Sequence, residues 1–207
     1  MGSPLEQLKR PSPKAGRFAG LEQTTAPDNS VLLDTVKAHL RLTTTAEDVI
    51  LQLYIDGAVR AVEQLARRSL LDQAWTLTLD SFPADDYIEL YMGPLVSVTT
   101  LTTYDDNNTP STAFSAYALD TAGERLLLDD GATWPTDLRS RASVKLEYAT
   151  GYGATVADLP GTLLRAVLML AGDFYTNRDV SCSMSALSAE TAYGVSTLLG
   201  TERRWRL

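Results

Sequence analysis

The stretch VKLEYATGYGATVADLPGTLLRAVLML, residues 144–170, joins a predicted strand to a predicted helix through a glycine-rich turn. Val144, Leu146 and Tyr148 alternate with other residues, which is the period of a strand that buries one face. From Pro160 the apolar residues recur at helical spacing, and a proline suits the first helical turn, where its missing N–H is no loss. The order strand, Gly-x-Gly, helix is also that of a phosphate-binding loop.

The position of the glycines favours a turn over a phosphate-binding loop. Such a loop places its glycines at the helix N-terminus, where free N–H groups and the helix dipole face the anion. Here seven residues separate Gly153 from Gly161, and no Lys-Ser/Thr pair follows the glycines. The flanking strands have the short spacing of antiparallel strands, whereas a dinucleotide fold needs parallel βαβ units. The stretch therefore predicts a chain reversal and no nucleotide enzyme.

The hydrophobic pattern along the rest of the chain predicts an α+β fold. Helices are expected near residues 31–41, 46–68 and 160–177 as a helical bundle core, and an antiparallel β insert is expected at about residues 75–150. Tight turns rich in Asp, Asn, Gly and Pro separate the short alternating segments of that insert. In the second helix we take one apolar stripe to face the core: Ile50, Tyr54, Ala58, Ala61 and Leu65.

Composition divides the chain into three predicted parts. Residues 1–30 contain four prolines and no hydrophobic period, which predicts a flexible N-terminal arm. Residues 31–180 form the predicted folded domain, and residues 181–207 a C-terminal tail that binds a partner. No apolar run approaches the ~18–20 residues needed to span a bilayer, and no signal peptide is visible, so we expect no membrane contact and synthesis in the cytoplasm.

The charge is concentrated in the middle of the chain. The formal net charge of the 207 residues is −8, and residues 80–140 hold eleven acidic residues against two arginines. An acidic surface repels phosphate backbones, so tight DNA binding by the folded part is not expected. The acidic turns leave one alternative open, a metal-dependent enzyme, for which the run Tyr104–Asn108 (YDDNN) is the best candidate cluster. Its contiguous carboxylates lack the alternating spacing of a calcium loop, so a hairpin turn is favoured.

Nucleophile chemistry has little support in the sequence. The chain has one cysteine, Cys182, and one histidine, His39, which excludes a disulfide framework and a histidine-rich metal site. We therefore expect no enzyme activity, no catalytic residue and no cofactor.

The C-terminal run ERRWRL indicates binding to a partner and not catalysis, because Arg and Trp are among the side chains most enriched at interface hot spots. The predicted partner-binding residues are Arg203, Arg204, Trp205, Arg206 and Leu207.

Several segments, taken in order, resemble the head–tail connector (adaptor) proteins of long-tailed bacteriophages and related gene transfer agents. The resemblance covers about Val31 to Asp179 and is weaker at the C-terminus. The segments that carry it are VKAHLRL, EDVILQLYIDGAVRAVEQLARRSL, WTLTLDSFP, IELYMGPLVSVTTLTTYDDNN, YALD, VKLEYATGYG, LPGTLLRAVLMLAGDFYTNRD and the Arg-Trp-Arg end.

The resemblance implies a structural virion protein at the neck, the head–tail junction, that is assembled in the host cytoplasm. It implies a ring of copies, twelve in most relatives, that lies under the portal and extends the DNA channel. It also implies docking of a downstream stopper or tail component, passage of DNA without specific binding, and contact of residues 203–207 with the portal. The long N-terminal arm departs from the family pattern. A stopper or tail terminator remains an alternative, although the long predicted helices disfavour it.

Overall fold

The computed structural model describes residues 18–177 and 189–202, which form four helices and eight strands. The helices are α1 (Leu33–Leu40), α2 (Asp48–Ala66), α3 (Gly161–Thr176) and α4 (Ala189–Glu202). The strands are β1 (Phe18–Thr25), β2 (Gln73–Leu79), β3 (Tyr87–Glu89), β4 (Leu95–Tyr104), β5 (Pro110–Ser111), β6 (Tyr117–Asp120), β7 (Arg125–Leu128) and β8 (Val144–Thr150). Two short 3-10 turns lie at Asn29–Leu32 and Val156–Asp158. The predicted α+β class is confirmed.

The described chain divides into a sheet unit and a helical unit. The sheet unit comprises residues 18–25, 74–90 and 95–149, and the helical unit comprises the remaining described residues. The three predicted helices are present in the helical unit, each within three residues of its expected ends. The fourth helix, α4, was not predicted. It forms within the segment that we took for a tail, because Val195 and Leu199, four residues apart, give it an apolar side that is buried.

The helical unit is built around one apolar core to which all four helices contribute. Val36 of α1, Ile55 of α2, Val167 of α3 and Val195 of α4 are all at most 1% exposed. Burying a large aliphatic side chain of this kind contributes about 1.5–3 kcal/mol. The helical period predicted from Pro160 is confirmed in α3, where Leu163, Val167 and Ala171 are fully buried.

The predicted apolar stripe of α2 is wrong at both ends. Ile50 is 45% exposed and Leu65 is 38% exposed. The side that faces the core is offset by one residue and consists of Leu51, Ile55, Ala58, Val59, Val62 and Ala66. This helix is apolar on more than one side, so its spacing alone does not identify the buried one.

Two polar contacts hold the start of α2 against other helices of the helical unit. The ammonium group of Lys37 in α1 donates to the carboxylate of Asp48, the first residue of α2, at 2.7 Å. The hydroxyl of Tyr175, near the end of α3, donates to the carboxylate of Glu47 at 2.5 Å. The start of α2 is therefore held both to α1 and to the end of α3.

The sheet unit contains a five-stranded sheet in the order β1-β2-β8-β4-β5 and a three-stranded sheet in the order β3-β7-β6. The pairs β1–β2, β3–β7, β4–β5 and β6–β7 are antiparallel. The alternation predicted for β8 is confirmed, because Val144, Leu146 and Tyr148 are fully buried.

The predicted flexible arm is wrong for residues 18–25. They form β1, which pairs along β2 from Phe18 opposite Leu79 to Thr25 opposite Ala74. The hydroxyl groups of Thr24 and Thr76 hydrogen-bond across this pair at 2.7 Å. The strand escaped prediction because most of its side chains are exposed, so main-chain pairing holds it in place and no hydrophobic period marks it.

Candidate partner-binding site

The glycine turn of residues 151–153 hydrogen-bonds through its main-chain amides to two other segments of the chain, so few of these amides are free to bind an anion. The N–H of Gly151 donates to the carbonyl of Pro94 at 3.1 Å, and the N–H of Tyr152 donates to that of Leu70 at 3.0 Å. Gly151 has a φ of 134°, and a Cβ there would lie 2.6 Å from the Leu71 carbonyl oxygen. Glycine is required at this position because the turn packs against the segment that follows α2. The geometry agrees with the interpretation of this stretch as a chain reversal.

The acidic run Tyr104–Asn108 forms a hairpin turn between β4 and β5. One carboxylate oxygen of Asp105 accepts the N–H groups of Asn107 at 2.9 Å and Thr109 at 2.7 Å. The side-chain oxygen of Asn108 accepts from the guanidinium of Arg139 at 2.8 Å. These carboxylate and amide oxygens stabilise the turn, as an Asx side chain commonly does. In residues 18–177 and 189–202, no three His, Cys, Asp or Glu side chains are grouped so that they could hold a metal ion.

Glu63 is the described acid whose environment is most unusual. It is 6% exposed in α2, and its Oε1 accepts the N–H of Leu70 at 2.8 Å and the side-chain amide of Gln73 at 2.6 Å. Burial raises the pKa of Glu63, and the two hydrogen bonds oppose that shift. The two groups that hydrogen-bond to this carboxylate are amides, so it ties the segment after α2 back to the helix.

The last turn of α4 is anchored to two other helix ends. The Nε of Arg68, just after α2, donates to the main-chain carbonyl of Glu202 at 3.0 Å. The hydroxyl of Thr162, at the start of α3, donates to the Glu202 carboxylate at 2.8 Å. Glu202, the last described residue, is therefore held beside the end of α2 and the start of α3.

The predicted partner-binding residues 203–207 follow directly after this anchor and lie outside the described residues, as does Cys182. The structure thus places their starting point without describing the residues themselves.

His39 is exposed on α1, with its Nε2 3.9 Å from where a Cβ of Gly172 would lie. None of the described helices is both long and apolar enough to cross a membrane.

An exposed apolar surface on α2 was missed by the sequence analysis. Val49 is 80% exposed, Leu53 66% and Ile50 45%. We call these three residues the α2 patch. A signal for it was present, because residues 49–55 hold apolar side chains on more than one side of the helix. Only the structure shows which of them the core leaves uncovered.

Comparison with known families and structures gives one consistent result. Residues 30–199 match the family described as phage gp6-like head-tail connector proteins. A chain in the neck of an empty gene transfer agent (GTA) particle, computed with sixfold (C6) symmetry, is 25% identical with a TM-score of 0.76. A chain in the neck of a native GTA particle, computed with twelvefold (C12) symmetry, is 26% identical with a TM-score of 0.73. Each match covers 91% of this chain and 97% of the other.

A third match, with a TM-score of 0.74 and 25% identity, is a chain in the virion of a native GTA particle. No curated protein matches the sequence at a significant level.

Proposed function

The chain belongs to the phage gp6-like head-tail connector family, and from this premise we propose that it is a structural component of the neck of a phage or gene transfer agent particle. The observation that carries this proposal is the extent of the match. The family covers residues 30–199, and chains resolved in GTA particle necks align with 91% of the sequence. The likeness therefore includes both the sheet unit and the helical unit.

The protein is proposed to work as a ring of identical copies. The matched neck structures were computed with sixfold and twelvefold symmetry, which supports a cyclic assembly, and we propose twelve copies. In a closed ring every subunit presents two different surfaces, one to each neighbour. We propose that this ring lies below the portal vertex and extends the DNA channel.

We assign different tasks to the parts of the chain. The packed helices are taken as the bundle core of an adaptor domain, which is proposed to extend beyond the expected residues 31–180 to include β1 (Phe18–Thr25) and α4 (Ala189–Glu202). Residues 203–207 are proposed as the segment that binds the portal, and they follow Glu202, which Arg68 and Thr162 contact. Arg and Trp side chains in such a segment suit a contact that orders on binding. A stopper or other tail component is proposed to dock on the opposite side of the ring.

The acidic turns are proposed to prevent DNA in the channel from binding to the ring. Several carboxylates of the sheet unit, among them Asp86, Asp106, Asp129 and Asp130, are exposed. A wall of this charge makes few of the counterion-releasing contacts that hold a duplex in place. DNA would then pass through the ring without specific binding.

A metal-dependent enzyme is the weaker alternative. Asp105, the central acid of the candidate cluster, uses its carboxylate to close a turn. Membership in a structural family also favours a protein without catalytic activity. We therefore propose that the chain needs no cofactor and carries out no reaction.

The proposal is tested in particles from cells that make this protein. Deleting its gene should give DNA-filled heads that do not join tails, and a plasmid copy of the gene should restore joining. Mass spectrometry of wild-type particles should find the protein, and a neck reconstruction should place it in a ring at the head–tail junction. Infectious or transducing particles that lack the protein would refute the proposal.

A further inference from the structure

The α2 patch is a cluster of large aliphatic side chains that the described part of the subunit does not cover. Val49 and Leu53 lie four residues apart and therefore share one side of the helix, and Ile50 lies beside Leu53. The opposite side of the helix carries Leu51 and Ile55, which are at most 1% exposed. The patch is therefore additional to the apolar surface that the fold uses.

The same side of α2 is polar further along. Asp56, Arg60 and Gln64 continue it toward the C-terminus, and all three are exposed. The apolar character is thus confined to the first two turns. Clustered exposed aliphatic side chains of this kind commonly mark an interaction site, and a polar border beside them is the pattern of an interface rim.

Gly57 lies one turn after Leu53 on the same side of α2. It is exposed in the middle of a helix, where glycine is less favourable than alanine. A Cβ at Gly57 would lie 3.6 Å from the ring of Phe174, which is an ordinary contact distance. The fold of the subunit therefore accepts a side chain here, and a glycine permits the close approach of another chain.

We propose that the α2 patch is the surface through which one copy contacts the next copy of this chain in the ring. This inference rests on the proposed function, because the ring supplies the second copy. Matched chains occupy necks of cyclic symmetry, so each subunit needs a pair of surfaces that neighbours bury. In the helical unit the patch is a described apolar surface that such a neighbour would desolvate, with Asp56 and Arg60 at its rim.

The test replaces two patch residues, Val49→Asp with Leu53→Asp, in cells that produce the particles. An acidic residue in the first turn of a helix is favoured by the helix dipole, so the Val49 change preserves the fold. The matched control is Val96→Asp, which alters a valine of β4 that is 54% exposed in the sheet unit. Thermal unfolding of each purified variant checks that it folds.

We expect the patch variant to reduce the copies of this protein per particle at least tenfold, and the control to keep the wild-type number. Wild-type occupancy of the neck by the patch variant would overturn the inference. A reconstruction of the wild-type neck decides the matter even if the variant does not fold. A neighbouring copy on Val49 and Leu53 supports the inference, whereas solvent, the portal, another part of the same chain or another protein there overturns it. Absence of the wild-type protein from the neck would instead refute the proposed function.

Discussion

The Nε of Arg68 donates a hydrogen bond to the main-chain carbonyl of Glu202 at 3.0 Å, joining residues 134 positions apart in the sequence. Arg68 lies two residues after the last residue of α2 and Glu202 is the last residue of α4, so the contact links the ends of two helices. A cation at a helix C-terminus also interacts favourably with the helix dipole. The contact therefore fixes the residue from which the proposed portal-binding segment begins.

Replacing Arg68 with alanine should loosen the end of α4 without unfolding the protein. The loss of one partly buried hydrogen bond from a charged group should lower the local opening free energy by about 1 kcal/mol. Hydrogen exchange of the amides in the last turn of α4 measures this. Arg165→Ala, which removes an exposed arginine from α3, is the control. Equal exchange rates in the two variants would show that the Arg68 contact does not hold the helix end.

Gly151→Ala should destabilise the protein strongly. The residue has a φ of 134°, and the added Cβ would meet the Leu71 carbonyl oxygen at 2.6 Å. Strain of this kind should lower the free energy of unfolding by about 2 kcal/mol or more. Gly161→Ala at the start of α3 is the control, because a Cβ there would meet nothing within 4 Å and the φ of Gly161 is ordinary. Denaturant unfolding of both variants makes the comparison, and a near-neutral Gly151→Ala would contradict the tight turn.

Glu63→Gln should change how stability depends on pH. Burial raises the pKa of Glu63 above its ordinary value of 4.5. As pH rises from that value through the raised pKa, the folded chain keeps the proton that the unfolded chain loses, so the free energy of unfolding falls. Glutamine keeps the Oε1 acceptor and does not titrate. The stability of the variant relative to the wild type should therefore be higher at pH 7 than at pH 4.

Denaturant unfolding at the two pH values measures this difference for Glu63→Gln. Glu147→Gln, the same chemical change at an exposed residue of β8, is the control. A pH-dependent difference of the same size in the control would assign the effect to something other than burial of Glu63.

The sequence predicts most elements whose side chains alternate between buried and exposed. Val144, Leu146 and Tyr148 show the strand period, and Leu163 and Val167 belong to the helical period of α3. These patterns are readable because one face of each element is buried and the other is not. The turn at Gly151 was readable as well, because its glycines stand too far from the helix to form a phosphate-binding loop.

Other features required the structure. The strand at residues 18–25 is held by pairing with β2, a partner distant in sequence, and most of its side chains are exposed. The buried side of α2 was misassigned because Ile50 and Leu51 are both large and apolar, and only the packing of the other helices selects Leu51. The anchor between Arg68 and Glu202 depends on how two helix ends meet, which no local pattern records.

The acidic sheet unit should give the protein little affinity for duplex DNA. Residues 80–140 carry eleven acidic residues and two arginines, so few phosphate contacts are available. Fluorescence anisotropy with a labelled duplex at about 0.15 M salt should show no binding up to roughly 10 μM protein. Many proteins that bind DNA non-specifically have dissociation constants of about 1–100 μM, so their binding would begin to show at this concentration. Replacing Asp129 and Asp130 with lysine should introduce weak, salt-sensitive binding. A salt-sensitive rise in anisotropy with the wild-type protein would contradict the proposal that DNA passes through the ring without binding.

Removing residues 203–207 should abolish portal binding and leave the fold intact. The truncation keeps Glu202 and therefore keeps its contacts with Arg68 and Thr162, so thermal unfolding should be unchanged. Co-sedimentation with purified portal rings from the same particle measures binding.

A variant with Arg203, Arg204 and Arg206 replaced by lysine is the matched control, because it keeps the positive charge and the length. If planar guanidinium contacts carry the affinity, this variant should bind at least tenfold more weakly than the wild type. Undiminished co-sedimentation of the truncated protein would show that the portal is bound through another surface.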